Sequence, residues 1–210
     1  MKVLAFYNAK GIGDVLLLIS GSALEDHLIS ETKGPVTLIK DRTTDQIVGC
    51  NIDQISQHFI PEGQGQVFLT EDQVEQVNQL IKTAGFELTV EVDNSPKFVV
   101  GYVEECVDHE DSDHLHITQT RVSPDQVLQI VCGAANIRQG LHVLVAQVGA
   151  VMPSGMIIWP GELRGVPSHG MICSTRELGL DHLNTQPGIW ELDADFVPGT
   201  SLDQVLAKLS

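Results

Sequence analysis

Leu128-Gln129-Ile130-Val131-Cys132 leads through Gly133-Ala134-Ala135-Asn136-Ile137-Arg138-Gln139-Gly140 into His142-Val143-Leu144-Val145-Ala146. Two short β-rich runs flank a turn that carries glycine, asparagine and arginine. The same pattern extends to either side. Residues 98–103, 114–122, 127–132, 142–148 and 156–163 are strand-like and have Gly, Pro, Asp and Ser between them. Five such strands over about 70 residues predict a small β-barrel or sandwich. A last strand near 189–192 and a helix over 201–209 close the chain. Ser201 is the helix N-cap, and Leu202, Val205, Leu206 and Leu209 form its apolar face.

Upstream, Val90-Glu91-Val92-Asp93-Asn94-Ser95-Pro96 reads as the end of a separate unit. Pro96 restricts its own backbone and that of Ser95, which places a junction at about residue 95. The first domain is thus 1–95 and the second 96–210. In the first, 3–7 and 15–19 are strands separated by a Gly11/Gly13 turn. Segments 36–40 and 46–52 flank the polar stretch 41–45, a hairpin signature. Thr70 and Gln73 have capping-box spacing, with Glu71, Asp72 and Glu75 in the first turn. Val74, Val77, Ile81 and Ala84 form an apolar stripe, and Gly85 ends the helix. These elements predict an α+β domain with a small antiparallel sheet. Its role is not legible in the sequence.

The chain of 210 residues carries 12 basic and 28 acidic side chains, a net charge of −16, with −8 on each side of residue 95. That excludes a protein whose affinity rests on bulk attraction to phosphate. At 42% hydrophobic it is too apolar for a disordered acidic tail. No window reaches the roughly 18 uninterrupted apolar residues of a membrane helix. The N-terminal residues lack a long apolar core and a clear cleavage site, so the expected location is the cytoplasm. Cys50, Cys106, Cys132 and Cys173 form no CxxC and read as reduced, mostly buried thiols.

Catalytic signatures are missing. Lys10-Gly11-Ile12-Gly13 completes neither a P-loop nor a dinucleotide fingerprint and is better read as a turn. There is no G-x-S-x-G elbow and no HExxH. Ser168-His169 adjacency says little about a triad, whose members are brought together by the fold. In His109-Glu110-Asp111-Ser112-Asp113-His114-Leu115-His116, His114 and His116 would share a strand face. With His109 or Asp113 they could supply three zinc ligands. No distant Cys or His pair completes the spacing, and an acidic turn entering a strand is the simpler reading. No catalytic residue, metal or cofactor is expected.

Three segments together carry a resemblance. The first is Phe98-Val99-Val100-Gly101-Tyr102-Val103 followed by the acidic turn at 109–115. The second is the 128–146 stretch quoted above. The third is Glu162-Leu163-Arg164-Gly165-Val166-Pro167-Ser168-His169-Gly170-Met171-Ile172-Cys173-Ser174-Thr175-Arg176-Glu177-Leu178-Gly179-Leu180. Over roughly 97–200 the chain resembles the tRNA-binding OB-fold module. That module also stands at the N-terminal end of bacterial phenylalanyl-tRNA synthetase β chains and is appended to some methionyl-tRNA synthetases. With its first domain, the whole chain resembles the stand-alone YtpR-type tRNA-binding proteins of Gram-positive bacteria. The resemblance implies an all-β OB-fold barrel with a C-terminal helix. It also implies tRNA as partner, no DNA or membrane, and a homodimer.

An OB barrel grips RNA on its exposed sheet face and loops, by stacking, hydrogen bonds and some phosphate contacts. The resemblance places Asn136, Arg164, Ser168, Met171, Ser174, Arg176 and Glu177 on that surface. Asn136 both donates and accepts, or stabilises its own turn. Arg164 offers a bidentate fork to phosphate or a base edge. Ser168, Ser174 and the backbone around Gly170 give short polar contacts. Met171 is an apolar platform or a core residue, and Glu177 would orient Arg164 or Arg176. Arg164, Ser168 and Arg176 are the leading contact candidates.

The chain also departs from the family. His114 stands where the family tends to have a lysine, and Met156-Ile157-Ile158-Trp159-Pro160-Gly161-Glu162-Leu163 replaces a lysine-rich strand. Lys97, Arg121, Arg138, Arg164, Arg176 and Lys208 are the fixed positive charges of the second domain. Each lost phosphate contact removes counterion release, so binding is expected to be structure-selective and weak at moderate salt. Trp159 offers a stacking surface, or an edge against a partner subunit. The competing reading is a protein-interaction or oligomerisation module on the same scaffold. Arg121, Arg138, Arg164 and Arg176 gathered on one face would favour RNA; scattered, they would favour the competing reading.

Overall fold

Val15–Ile19 (β2) is apolar throughout, and the two-residue period of a strand places Leu16 and Leu18 fully in the core of the first unit. The computed structural model describes residues 1–183 and 186–210 and divides the chain into two compact units, Met1–Ser95 and Pro96–Ser210.

In the first unit β2 is flanked by Lys2–Tyr7 (β1) and Ile47–Asp53 (β5). Leu28–Lys33 (β3), Val36–Asp41 (β4), Gly65–Val67 (β6) and Glu91–Val92 (β7) complete a seven-stranded sheet. Its order is β3-β4-β5-β2-β1-β6, with β7 parallel to β1 and every other pair antiparallel. Helix α1, Glu71–Thr83, has the capping box of Thr70 and Gln73 and inserts Val77 and Ile81 into the core. Asn78 on α1 brackets the Val90 peptide, donating to its carbonyl and accepting from its N–H at 3.0 and 2.7 Å. With this single α-helix the unit is mainly β. Strand β3 escapes sequence reading because all six residues are exposed and none alternates.

Tyr7, Asp14 and Ser56 fasten the β1–β2 turn to the chain after β5. The Asp14 carboxylate accepts from Tyr7 Oη, Ser56 N and Ser56 Oγ at 3.0, 3.1 and 2.7 Å. The Ser56 hydroxyl first, against some desolvation, lowers the Asp14 pKa below its ordinary 3.8.

The second unit is built on Phe98–Asp108 (β8), His116–Ser123 (β9), Gln126–Cys132 (β10), His142–Gln147 (β11), Gly170–Ile172 (β14) and Glu191–Leu192 (β15). Gly161–Leu163 (β12) and Val166–Ser168 (β13) form a separate hairpin. The main sheet runs β10-β9-β8-β11-β14, with β15 beside β11. A bulge between Val103 and Glu105 bends β8, as curling a sheet requires. The sheet closes nearly into a barrel. His169 N–H donates to the Gln129 carbonyl at 2.9 Å, and Val131 N–H donates to Ser168 Oγ at 3.1 Å.

Val99, Val143 and Val145 face one core with Ile130 and Ile172. Val100, Leu144 and Ala146 face a second core with Trp190, Phe196 and Val205. Burial on both faces explains the unbroken apolar run of β11. Val205 comes from helix α2, Leu202–Leu209, capped by Ser201 and Gln204.

The strand expected over 156–163 is split. Ile157 bridges Val151, and only Gly161–Leu163 pairs again, now with β13. Pro160 has no N–H and restricts Trp159, so one ladder cannot run through both pieces. Among the four free cysteines Cys50, Cys132 and Cys173 are buried, and burial pushes Cys50 and Cys173 up to about 12.

Two outcomes follow. A Cβ on Gly170 would sit 3.0 Å from the Ala146 carbonyl oxygen and 3.3 Å from Ile130 Cδ1, at a φ of 154°. Gly170→Ala should cost about 1–3 kcal/mol in chemical denaturation; unchanged stability would contradict this packing of β14. Asp14 adds stability above the ordinary carboxylate range that is lost as pH falls through its depressed native value. Melting temperature should therefore fall less steeply with acid in Asp14→Asn than in wild type below about pH 4; parallel curves would refute that role.

Candidate nucleic-acid interface

Beside the seam between β10 and β14 lies a broad groove of about 1410 Å³. Val131 and Cys132 of β10 and Gly170, Met171 and Ile172 of β14 form its floor. Met152, Met156, Ile157, Ile158 and Trp159 form one wall, and the 174–179 loop with Pro187 and Gly188 forms another. Most of this wall surface is apolar. Met156 is exposed, while Trp159 and Met171 are half-buried. The sequence signal for the first wall was Met152-Pro153-Ser154-Gly155-Met156, a turn sequence with bulky apolar ends. Reading 156–163 as a strand concealed it.

Five of the expected contact residues line this groove: Ser168, Met171, Ser174, Arg176 and Glu177. Their chemistry differs from residue to residue. Ser168 is 5% exposed, accepts from Val131 N–H and donates to the Gly170 carbonyl at 3.4 Å, so its hydroxyl is spent on the seam. Ser174 and Glu177 make a capping box at the head of the loop. The Glu177 carboxylate accepts from Ser174 N and Oγ at 2.8 and 2.7 Å, and Glu177 N–H donates to Ser174 Oγ at 3.2 Å. Glu177 therefore orients Ser174, in place of the arginine expected from sequence. Met171 packs partly against the second core and partly faces the groove. Arg176 is exposed, and its guanidinium has no partner among the described residues.

Asn136 and Arg164 lie outside the groove lining. Asn136 Nδ2 donates to the Ile189 carbonyl at 3.1 Å, and Oδ1 accepts from Ile189 N–H at 2.9 Å. Nδ2 also reaches Glu191 at 3.0 Å. The asparagine thus pins the 186–189 wall to the β10–β11 turn. Arg164-Gly165 are the central residues of the two-residue turn between β12 and β13, with φ of 47° and 82°. That is the positive-φ pair of a hairpin turn, in which glycine is relaxed and arginine is strained. Arg164 Nη1 donates to the Asp111 carbonyl at 2.6 Å.

His109 explains why the hairpin and the acidic turn stay together. It is 3% exposed. Its Nδ1 accepts from Asp111 N–H at 3.0 Å, which leaves Nε2–H to donate to the Leu163 carbonyl at 3.2 Å. With both ring nitrogens so used, His109 cannot join a metal site without breaking the clamp. His114 and His116 pair instead with Asp113 and Asp108, at 2.9 and 3.1 Å. No cluster of three potential metal ligands occurs among the described residues.

The arginines have separate surroundings. Arg121 Nε reaches Glu104 at 2.6 Å. Arg138 grips Glu191 with two parallel bonds at 2.9 and 2.8 Å, and that pairing holds the Glu191 carboxyl below its usual range. Of the four, only Arg176 lines the groove, so they are scattered and not gathered on one face, the arrangement that by itself favours the interaction reading.

Comparison with known proteins bears on residues 98–201, which match the family model described as "Putative tRNA binding domain". Residues 25–93 match a domain of unknown function, DUF4479. The chain is 45% identical over 195 residues to "Putative tRNA-binding protein YtpR" of Bacillus subtilis, covering 93% of this chain and 96% of that protein. It is 50% identical over 107 residues to the phenylalanine–tRNA ligase β subunit of Vibrio parahaemolyticus, covering 51% of this chain but 13% of that subunit. The corresponding Haemophilus influenzae subunit is 42% identical over 155 residues, 73% of this chain and 19% of the subunit. The likeness to the ligase is thus to one small module of it. Identity that runs through both units, over nearly the whole of the Bacillus protein, places the chain in the YtpR family of tRNA-binding-domain proteins.

Proposed function

We propose that the protein binds tRNA, without catalysis, through the groove and the neighbouring Arg164 hairpin of an OB-fold barrel. The observation that carries this reading is the Arg176 guanidinium, unpartnered among the described residues and set in an apolar groove within the matched segment. A planar cation in a mostly apolar groove, on the wall that also carries Ser174 and Glu177, suits a phosphate beside stacked bases. Recognition is selective for tRNA structure and weak at moderate salt, because the domain is acidic and its cations few. DNA is not a partner, the site of action is the cytoplasm, and a homodimer presents two such surfaces. No helix among the described residues is long and apolar enough to cross a membrane.

Gel-shift titration of tRNA tests the reading. Wild type should shift tRNA at micromolar concentration in low salt. Arg164→Ala and Arg176→Ala should each weaken binding by about tenfold, the loss of one charged hydrogen bond. No shift by wild type in low salt would sink the tRNA reading. Formation of a stable assembly without tRNA binding would favour a protein-interaction module.

The absence of a resident metal is part of the proposal. Because His109 spends both nitrogens on backbone groups, EDTA should leave the melting temperature unchanged. A fall on chelation would restore a site at His109, His114 and His116.

A further inference from the structure

We infer that the groove takes unpaired nucleotides of the tRNA, stacked on Trp159 with Arg176 on a backbone phosphate, so that affinity falls with salt only as steeply as two phosphate contacts require. The inference rests on the tRNA reading above and specifies which part of the RNA enters the groove.

It starts from which cations remain available. The second unit has six fixed positive charges. Arg121 and Arg138 are paired with Glu104 and Glu191. The Lys208 ammonium stands over the Phe196 ring at 4.6 Å, and Lys97 is engaged as well. Arg164 uses one nitrogen on Asp111 but is exposed, and Arg176 is exposed in the groove. Two guanidinium groups therefore remain for phosphate.

The groove itself disfavours a duplex. A paired helix presents a dense rail of phosphates and keeps its base faces inside the stack. Here such a rail would meet one cation, with Glu177 and Asp181 also lining the groove. Unpaired nucleotides bring less charge and expose flat π faces. Those faces match a groove lined by Trp159, Met156, Ile157 and Met171, on whose indole any base can stack. Hydrophobic burial and stacking release few counterions, so the salt dependence is set by the two guanidiniums.

The test uses the full chain and unfractionated tRNA, titrated between about 50 and 200 mM salt. Two phosphate contacts give a slope of log K against log salt of about −1.4 to −1.8. Trp159→Ala should weaken binding by about 5- to 150-fold, the range for one lost stacking platform, and Trp159→Phe should recover most of it. Wild-type fluorescence supplies a reading independent of any variant's folding, since the other tryptophan, Trp190, is 5% exposed in the second core. A single-stranded oligonucleotide should quench it, and a blunt RNA duplex of equal length should not. If tRNA binds with a slope steeper than about −4, or the duplex quenches as well as the single strand, the inference falls and the tRNA reading stands. If no tRNA binds at low salt, both fall together.

Discussion

Two hydrogen bonds across the seam of the second unit hold the rest of that unit in place. The path β10-β9-β8-β11-β14 would leave β10 and β14 as bare edges, each with a row of unpaired backbone groups. His169 N–H on the Gln129 carbonyl and Val131 N–H on Ser168 Oγ bring these edges together. Closure encloses the core around Val99, Val143, Val145 and Ile130. It also makes the groove floor, which consists of residues from both sides of the seam. A hydroxyl suits this role. It accepts from β10 and donates to the Gly170 carbonyl at the start of β14, where a carbonyl could only accept.

The acidity of the chain takes on a definite meaning in this frame. A net −16 opposes indiscriminate attraction to RNA, yet the effect on each arginine is local. Arg138 is absorbed into a bidentate pair that, with Asn136, ties the β10–β11 turn to β15. Arg121 braces the bulge of β8 through Glu104. Their cationic charge is spent on the scaffold. Exposed pairs of this kind add little to stability, but they fix where loops sit, and loop position shapes the groove. What remains for a ligand is shape, apolar surface and a small number of unspent donors.

Much of this was legible in the sequence. The capping box at Thr70, the N-cap at Ser201, the hairpin of β4 and β5, and the strands β1, β2, β8, β9, β10 and β11 follow from local chemistry. Where reading failed, the cause was physical. Strand β3 has no buried face to impose alternation. The far half of β8, Glu104 to Asp108, is acidic and follows a bulge. Met156 to Leu163 has strand-forming residues, but Pro160 divides it into a bridge and a hairpin arm. Within the candidate site, residue types were legible and their partners were not. That Glu177 would choose Ser174 over an arginine is a matter of spacing along one turn. That the His109 ring would reach the backbone of Leu163, 54 positions away, is a tertiary fact.

These partners bear on what a motif transfers between relatives. Asn136, Ser168, Ser174 and Glu177 belong to the segments that carry the resemblance, and each is occupied by bonds within the chain. Such residues place walls, loops and seams, so a match across them carries the scaffold from one protein to another. The strength and character of binding then rest with side chains free to change without opening the barrel. Trp159 and Met156 occupy a segment where the resemblance implies lysines, and that segment forms a wall of the groove. Exchanging ammonium groups for an indole and a thioether leaves the seam intact. On the reading proposed above, it would move the grip on RNA from phosphates toward base faces, a change the acidic surface of this chain can tolerate.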